Sequence, residues 1–187
     1  MITEDSQEFK QRFSLRRAQP CEIPVIRELA HTIWPVAFAD VIPPEQITYM
    51  LDLMYAETVI QREMAAGVVW QLLWTQSENQ AVAYQAWEYL ASEGIIALHK
   101  LYVLPAYQRQ GLGRFLLDCV CQAGTQMKAR AVRLRVNRHN EQALRAYRKW
   151  GFQMIEQDCK PIGNGFVMDD YIMQLDLCRS SSSASEE

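Results

Sequence analysis

No stretch of this 187-residue chain approaches the roughly 18 consecutive apolar residues that a membrane span requires. The opening, MITEDSQEFKQRF, is acidic and polar and carries no apolar run, so no secretory signal is expected. The reading therefore places the protein in the cytoplasm, away from membrane. Cysteine is scarce and poorly placed for crosslinking. Cys21, Cys119, Cys121, Cys159 and Cys178 form an odd set with no C-x-x-C pair and no nearby histidine. That pattern argues against a disulfide framework and against zinc, so reduced structural thiols and no metal are expected. Low complexity is confined to a Ser-rich stretch at 180–187, and no internal repeat is present.

What remains is an ordinary globular composition. Hydrophobic residues make up 49% and charged residues 22%, enough for one normal core without staples. The net charge of −3 hides an asymmetry. Between Lys100 and Trp150 stand eleven Lys/Arg and two acids, Asp118 and Glu141, leaving 8 of the 19 bases and 20 of the 22 acids to the rest. Such segregation points to an anion site beside a surface that tolerates cations.

Periodicity predicts a first strand at 13–18, then a helix from Pro24 with Val25, Ile26, Leu29, Ala30 and Ile33 at helical spacing. A second helix starts at Pro44, with Ile47, Met50, Leu51 and Met54 on its apolar side, and a third covers 57–66. Strands follow at 68–75, 81–90 and 95–104, the last almost wholly apolar, as a central strand buried on both faces would be. A helix at 111–127, a strand at 132–137, a helix at 140–150, a short strand at 151–155 and a final strand at 166–177 complete one α+β domain. Its expected bounds are 13–178, between an N-terminal arm at 1–12 and a disordered tail at 179–187.

The chemistry concentrates in Leu101-Tyr-Val-Leu-Pro-Ala-Tyr-Gln-Arg-Gln-Gly-Leu-Gly-Arg114. A strand ends at Pro105, and a loop with Gly111 and Gly113 leads directly into a helix. Glycines let successive amide N–H groups converge, and a helix start adds its positive end, so this element binds phosphate oxygens. Arg109 and Arg114 add charge. The patterns G-x-x-x-x-G-K-[ST] and G-x-G-x-x-G are both missing, which sets aside the common nucleotide loops.

The string Q-x-x-G-x-G after Leu101-Tyr-Val-Leu-Pro, followed by Asn140-Glu-Gln-Ala-Leu-Arg-Ala-Tyr-Arg-Lys-Trp-Gly-Phe152, resembles the GNAT superfamily of N-acetyltransferases, in particular a bacterial single-domain branch whose acceptors are mostly unassigned. The likeness implies a mixed, mostly antiparallel sheet flanked by helices, with a β-α-β-α-β centre that binds acetyl-CoA. By the same likeness, the backbone of Leu101, Tyr102 and Val103 pairs with pantetheine amides. Gln108, Arg109, Gln110, Gly111, Leu112, Gly113 and Arg114 cradle the pyrophosphate, and Asn140 contacts the pantetheine arm. Tyr147 serves as general acid at the thioester sulfur. The implied reaction is direct attack of a primary amine on the thioester, with a backbone N–H of the central strand holding the oxyanion.

An ammonium acceptor must first lose a proton. The family often uses a Glu on the central strand; here that strand offers His99, a base near neutral pH. The acids Asp40, Glu45, Asp52, Glu57, Glu78, Glu88, Glu93, Asp169 and Asp170 suggest a small cationic acceptor, with Trp34, Phe38 and Tyr49 as apolar or cation–π walls and Asp170 as a substrate contact. Alternatives are a peptide or amino-acid amine, and a non-catalytic acyl-CoA-binding regulatory domain. No nucleic-acid partner is expected, because no aromatic RNA-binding motif accompanies the bases. The resemblance allows a homodimer.

Overall fold

The computed structural model describes residue 9 and residues 11–177. Most of the expected N-terminal arm, Cys178 and the tail lie outside the described residues. The helices are α1 (Ile23–Ala37), α2 (Pro44–Tyr55), α3 (Glu57–Ala65), α4 (Leu112–Gln126) and α5 (Glu141–Lys149). The strands are β1 (Phe13–Arg17), β2 (Val69–Thr75), β3 (Ala81–Leu90), β4 (Ile95–Val103), β5 (Ala131–Asn137), β6 (Gln153–Gly163) and β7 (Phe166–Asp176).

The sheet order is β1-β2-β3-β4-β5-β7-β6, with β4 central as its apolar sequence requires. β4 and β5 pair in parallel, joined by the α4 crossover that parallel strands need. The pairs β1–β2, β2–β3, β5–β7 and β6–β7 are antiparallel. This is the expected α+β class. The chain divides into two compact units: the chain up to Trp87 together with Lys100–Leu116, and Glu88–His99 together with Leu117 onward.

In the first unit, prolines stand in the opening turns of α1 and α2, where a missing N–H leaves no bond unmade. The apolar stripe of α1 buries Ile26, Leu29, Ala30, Ile33 and Trp34, and that of α2 buries Ile47, Met50, Leu51 and Tyr55. An aromatic cluster forms the centre. The Trp34 indole Nε1–H donates to the Tyr55 hydroxyl at 3.2 Å, which shares a 2.8 Å hydrogen bond with the Tyr84 hydroxyl. Burial pushes both phenols above their usual pKa. Lys100 is nearly buried among them, its Nζ 5.5 Å from the Tyr55 ring centroid and 6.0 Å from that of Trp70. Loss of hydration lowers its pKa, and the Glu63 carboxylate partly opposes this.

In the second unit, Ile95, Ile96, Leu98, Ala131, Val132, Leu134 and Met173 are buried. At Gly124 a Cβ would lie 2.7 Å from Leu177 Cδ1 and 3.1 Å from Ile96 Cγ1, so α4 approaches closely only without a side chain there. The expected short strand at 151–155 proves to be the eleven-residue β6. Its polar sequence shows no alternation because nearly every residue faces solvent. The turn at Gly163–Gly165 and the ladder to β7 impose its conformation. The second half of β4 also departs from burial on both faces, since His99 is exposed.

Candidate active site

In the first unit, Pro105–Tyr107 turns as a single 3-10 element after β4, with Tyr107 N–H donating to Leu104 O at 2.9 Å and Gln108 N–H to Pro105 O at 3.2 Å. The Gln108 side-chain amide returns to Val103 O at 3.2 Å, and that of Gln110 to Ala106 O at 3.3 Å. These bonds hold the loop from inside. An apolar cluster of Phe13, Leu73, Val82, Ala83, Val103, Leu112 and Leu116 anchors it from below, with Leu101, Leu104, Tyr107 and Phe115 packed against it.

Gly111 has φ +83°, and a Cβ there would meet no protein atom within 4 Å. The position is left-handed and open, so the backbone can approach a bulky anion. Gly113 is not at positive φ, so it does not share that conformational need. The N–H groups of Leu112 and Gly113 open α4 in its first turn, and the Phe115 N–H donates back to Gly111 O at 3.0 Å. The amides that open α4, a vacant side-chain position and exposed Arg109 and Arg114 fit the pyrophosphate of acetyl-CoA. The Leu101–Val103 backbone lies on β4 past the end of its β5 pairing, which stops at Leu98↔Leu134. Where that ladder ends, β4 can accept an added strand.

The second unit carries the remaining expected residues. Asn140 caps α5, its Oδ1 accepting from Ala143 N–H at 3.1 Å, which leaves its NH2 as a donor. Tyr147 packs edge-on to Trp150 and Phe152, with ring centroids 5.6 and 5.4 Å away. Desolvation pushes its phenol up to about 12, so the hydroxyl keeps its proton at neutral pH. His99 Nε2 lies 2.9 Å from Glu88 Oε1. An ionised carboxylate only accepts, so Nε2 carries the hydrogen and Nδ1 keeps a lone pair. Spacing along the sequence offered no sign of this pair, because the β3–β4 turn decides which residues meet.

The expected acceptor residues land differently. Trp34 and Phe38 are 2% and 9% exposed, with centroids 4.7 Å apart, and belong to the aromatic core rather than to an open wall. Their spacing on α1 is that of its buried stripe. Tyr49 is half-buried. Asp170 is buried on β7, where Arg135 Nε reaches its Oδ2 at 3.4 Å. Burial raises the Asp170 carboxyl pKa, and Arg135 pulls it back. Arg135 also pairs with Asp158, Arg138 with Asp169 at 2.8 Å and Arg133 with Glu93 at 2.6 Å. Several acids that pointed to a cationic acceptor are therefore neutralised within the fold.

Residues 25–152 match the model of the acetyltransferase (GNAT) family. The chain belongs to this family. It is an acetyl-CoA-dependent N-acetyltransferase, as its loop and α5 motif imply. No curated protein matches the chain. Solved structures share its fold at low identity. The PaiA N-acetyltransferase of Thermoplasma acidophilum, in complex with coenzyme A, is 19% identical, covering 88% of this chain and 98% of its own, with a TM-score of 0.76. A chimera of the spermidine N-acetyltransferase SpeG from Vibrio cholerae with hSSAT is 15% identical, covering 89% and 96%, TM-score 0.65. YncA of Salmonella typhimurium with acetyl-CoA is 17% identical, covering 94% and 98%, TM-score 0.59. Among the described residues of this GNAT protein, no helix is long and apolar enough to cross a membrane.

Proposed function

We propose that this protein transfers the acetyl group of acetyl-CoA directly to the primary amine of a small cationic metabolite. The observation that carries the cofactor half is the Gln108–Arg114 loop, with its left-handed open Gly111 leading directly into the start of α4. Bound acetyl-CoA supplies the activated acyl thioester. The loop amides with Arg109 and Arg114 hold its phosphates, and the backbone of Leu101–Val103, past the end of the β5 ladder, aligns its arm. A β4 backbone N–H meets the charge that develops on the acetyl oxygen; one such preorganised donor contributes roughly 3–4 kcal/mol.

Asn140 donates to the arm from its free NH2. Tyr147, protonated at neutral pH, donates to the departing sulfur. His99 accepts the proton of the acceptor ammonium at Nδ1 while Glu88 steadies the resulting imidazolium. For the acceptor, the reading is supported by Asp40, Glu45 and Asp52, which remain exposed around α1 and α2. Tyr49 stands beside them, with Trp34 and Phe38 behind as an apolar backing.

The test is a thiol-release screen of polyamines and aminoglycosides beside amino-acid amides and short peptides, each at low and high salt. A polyamine or aminoglycoside turned over fastest, and more slowly at high salt, is the expected result. A neutral or anionic amine preferred at both salt levels would overturn the cationic acceptor while leaving the acetyltransferase intact.

A further inference from the structure

The bases that the cofactor loop does not use gather at a second place. Beside α5 lies a cavity of about 260 Å³ lined by Arg138, Glu141, Leu144, Arg145, Arg148 and Tyr171. Arg138 is tied to Asp169 at 2.8 Å. Arg145 meets Glu141 at 2.9 Å, but those side chains are 69% and 78% exposed, so the pair is weak. Arg148 has no ion pair or side-chain hydrogen bond among the described residues. Three guanidinium groups against Glu141 and the Asp169 carboxylate on Arg138 still leave the cavity net positive.

Helix geometry separates this cavity from the proposed cofactor face. Glu141, Leu144, Arg145 and Arg148 follow one side of α5, whereas Asn140, Ala143 and Tyr147 follow a line about 100° around the axis.

We infer that this cavity binds a small phosphate-bearing anion. The guanidinium fork matches phosphate oxygens in pairs, and three forks suit the three terminal oxygens of a phosphate monoester better than the two of a carboxylate. Leu144 and the Tyr171 ring give an apolar edge for a short organic body. The volume is below that of pockets for drug-sized ligands, which limits that body to a few atoms beyond the phosphate.

The experiment is titration calorimetry of the full chain with inorganic phosphate and with glycerol 3-phosphate, at constant ionic strength. Saturable one-to-one binding is expected, weakened at least tenfold by Arg148→Glu and also reduced by Arg148→Ala. Lys128→Glu makes the same charge change at an exposed residue outside the cavity and should alter affinity less than twofold. Equal losses in Arg148→Glu and Lys128→Glu, or no saturable binding, would overturn the site. Titration with coenzyme A and dephospho-coenzyme A distinguishes the phosphate's source. Unchanged affinity for both in Arg148→Glu supports an independent ligand. Selective loss of coenzyme A affinity would assign the cavity to the cofactor's own phosphate and overturn the inference.

Discussion

His99 Nε2 and Glu88 Oε1 stand 2.9 Å apart, joining β4 to the end of β3, with side chains 40% and 32% exposed. The contact directs the imidazole hydrogen to Glu88 and leaves Nδ1 as the basic atom. On the proposed mechanism, that atom takes the acceptor's proton while Glu88 orients the ring.

Glu88→Gln should keep the ring packed but remove the carboxylate. Without that acceptor the ring loses its orientation, and the expected readout is a reduced kcat/KM plateau above neutrality. His99→Ala should lower that plateau by about 10²–10⁴-fold, the usual share of general base catalysis. An unchanged profile in both variants would remove His99 from the reaction.

Tyr147→Phe keeps the ring that packs on Trp150 and Phe152 and removes only the hydroxyl. We expect kcat to fall by about 10²–10⁴-fold with the coenzyme A dissociation constant nearly constant. Burial pushes the phenol up to about 12, so the activity that depends on its proton should not decline between pH 7 and 10. Single-turnover kinetics across that range, together with calorimetry, check both statements.

Gly111→Val places a branched side chain at φ +83° and into the space left for phosphate. Strain of about 1–2 kcal/mol should appear as a lower Tm, and affinity for coenzyme A should fall at least tenfold. Gly113→Ala does not face the positive-φ penalty and should leave Tm closer to that of the parent. Differential scanning calorimetry and titration calorimetry separate strain from lost binding.

Lys100→Met should stabilise the fold near neutrality by about 1–4 kcal/mol, as apolar replacement of a buried charge often does. The sign follows from linkage. Burial depresses the Lys100 pKa, so the unfolded chain holds a proton more firmly than the folded one, and parent stability rises as pH climbs from the folded pKa toward 10.5. The advantage of Met over Lys should therefore shrink as the pH approaches 10.5. Urea denaturation of both proteins from pH 7 to 10 measures it.

Much of this protein follows from properties of near neighbours in the chain. Proline at the starts of α1 and α2, apolar residues at three- and four-residue intervals, and glycine at Gly111 act over a few residues, so the helices, most strands and the glycine loop before α4 were legible in the sequence alone. The helix expected at 140–150 likewise put Asn140 at its start and Tyr147 two turns on, and the structure makes Asn140 its cap. Tertiary structure decided what depends on distance through space. Gln153–Gly163 became a full strand because β7 pairs with it, not because its own pattern asks for one. Trp34 and Phe38 became core because α1 turns its stripe toward Tyr55 and Tyr102. Part of the charge segregated along the sequence is cancelled in the fold: Arg133 meets Glu93, Arg135 meets Asp158 and Asp170, and Arg138 meets Asp169. Coulomb attraction depends on separation in space, and strand register brings together groups that lie 23 to 40 residues apart in the chain.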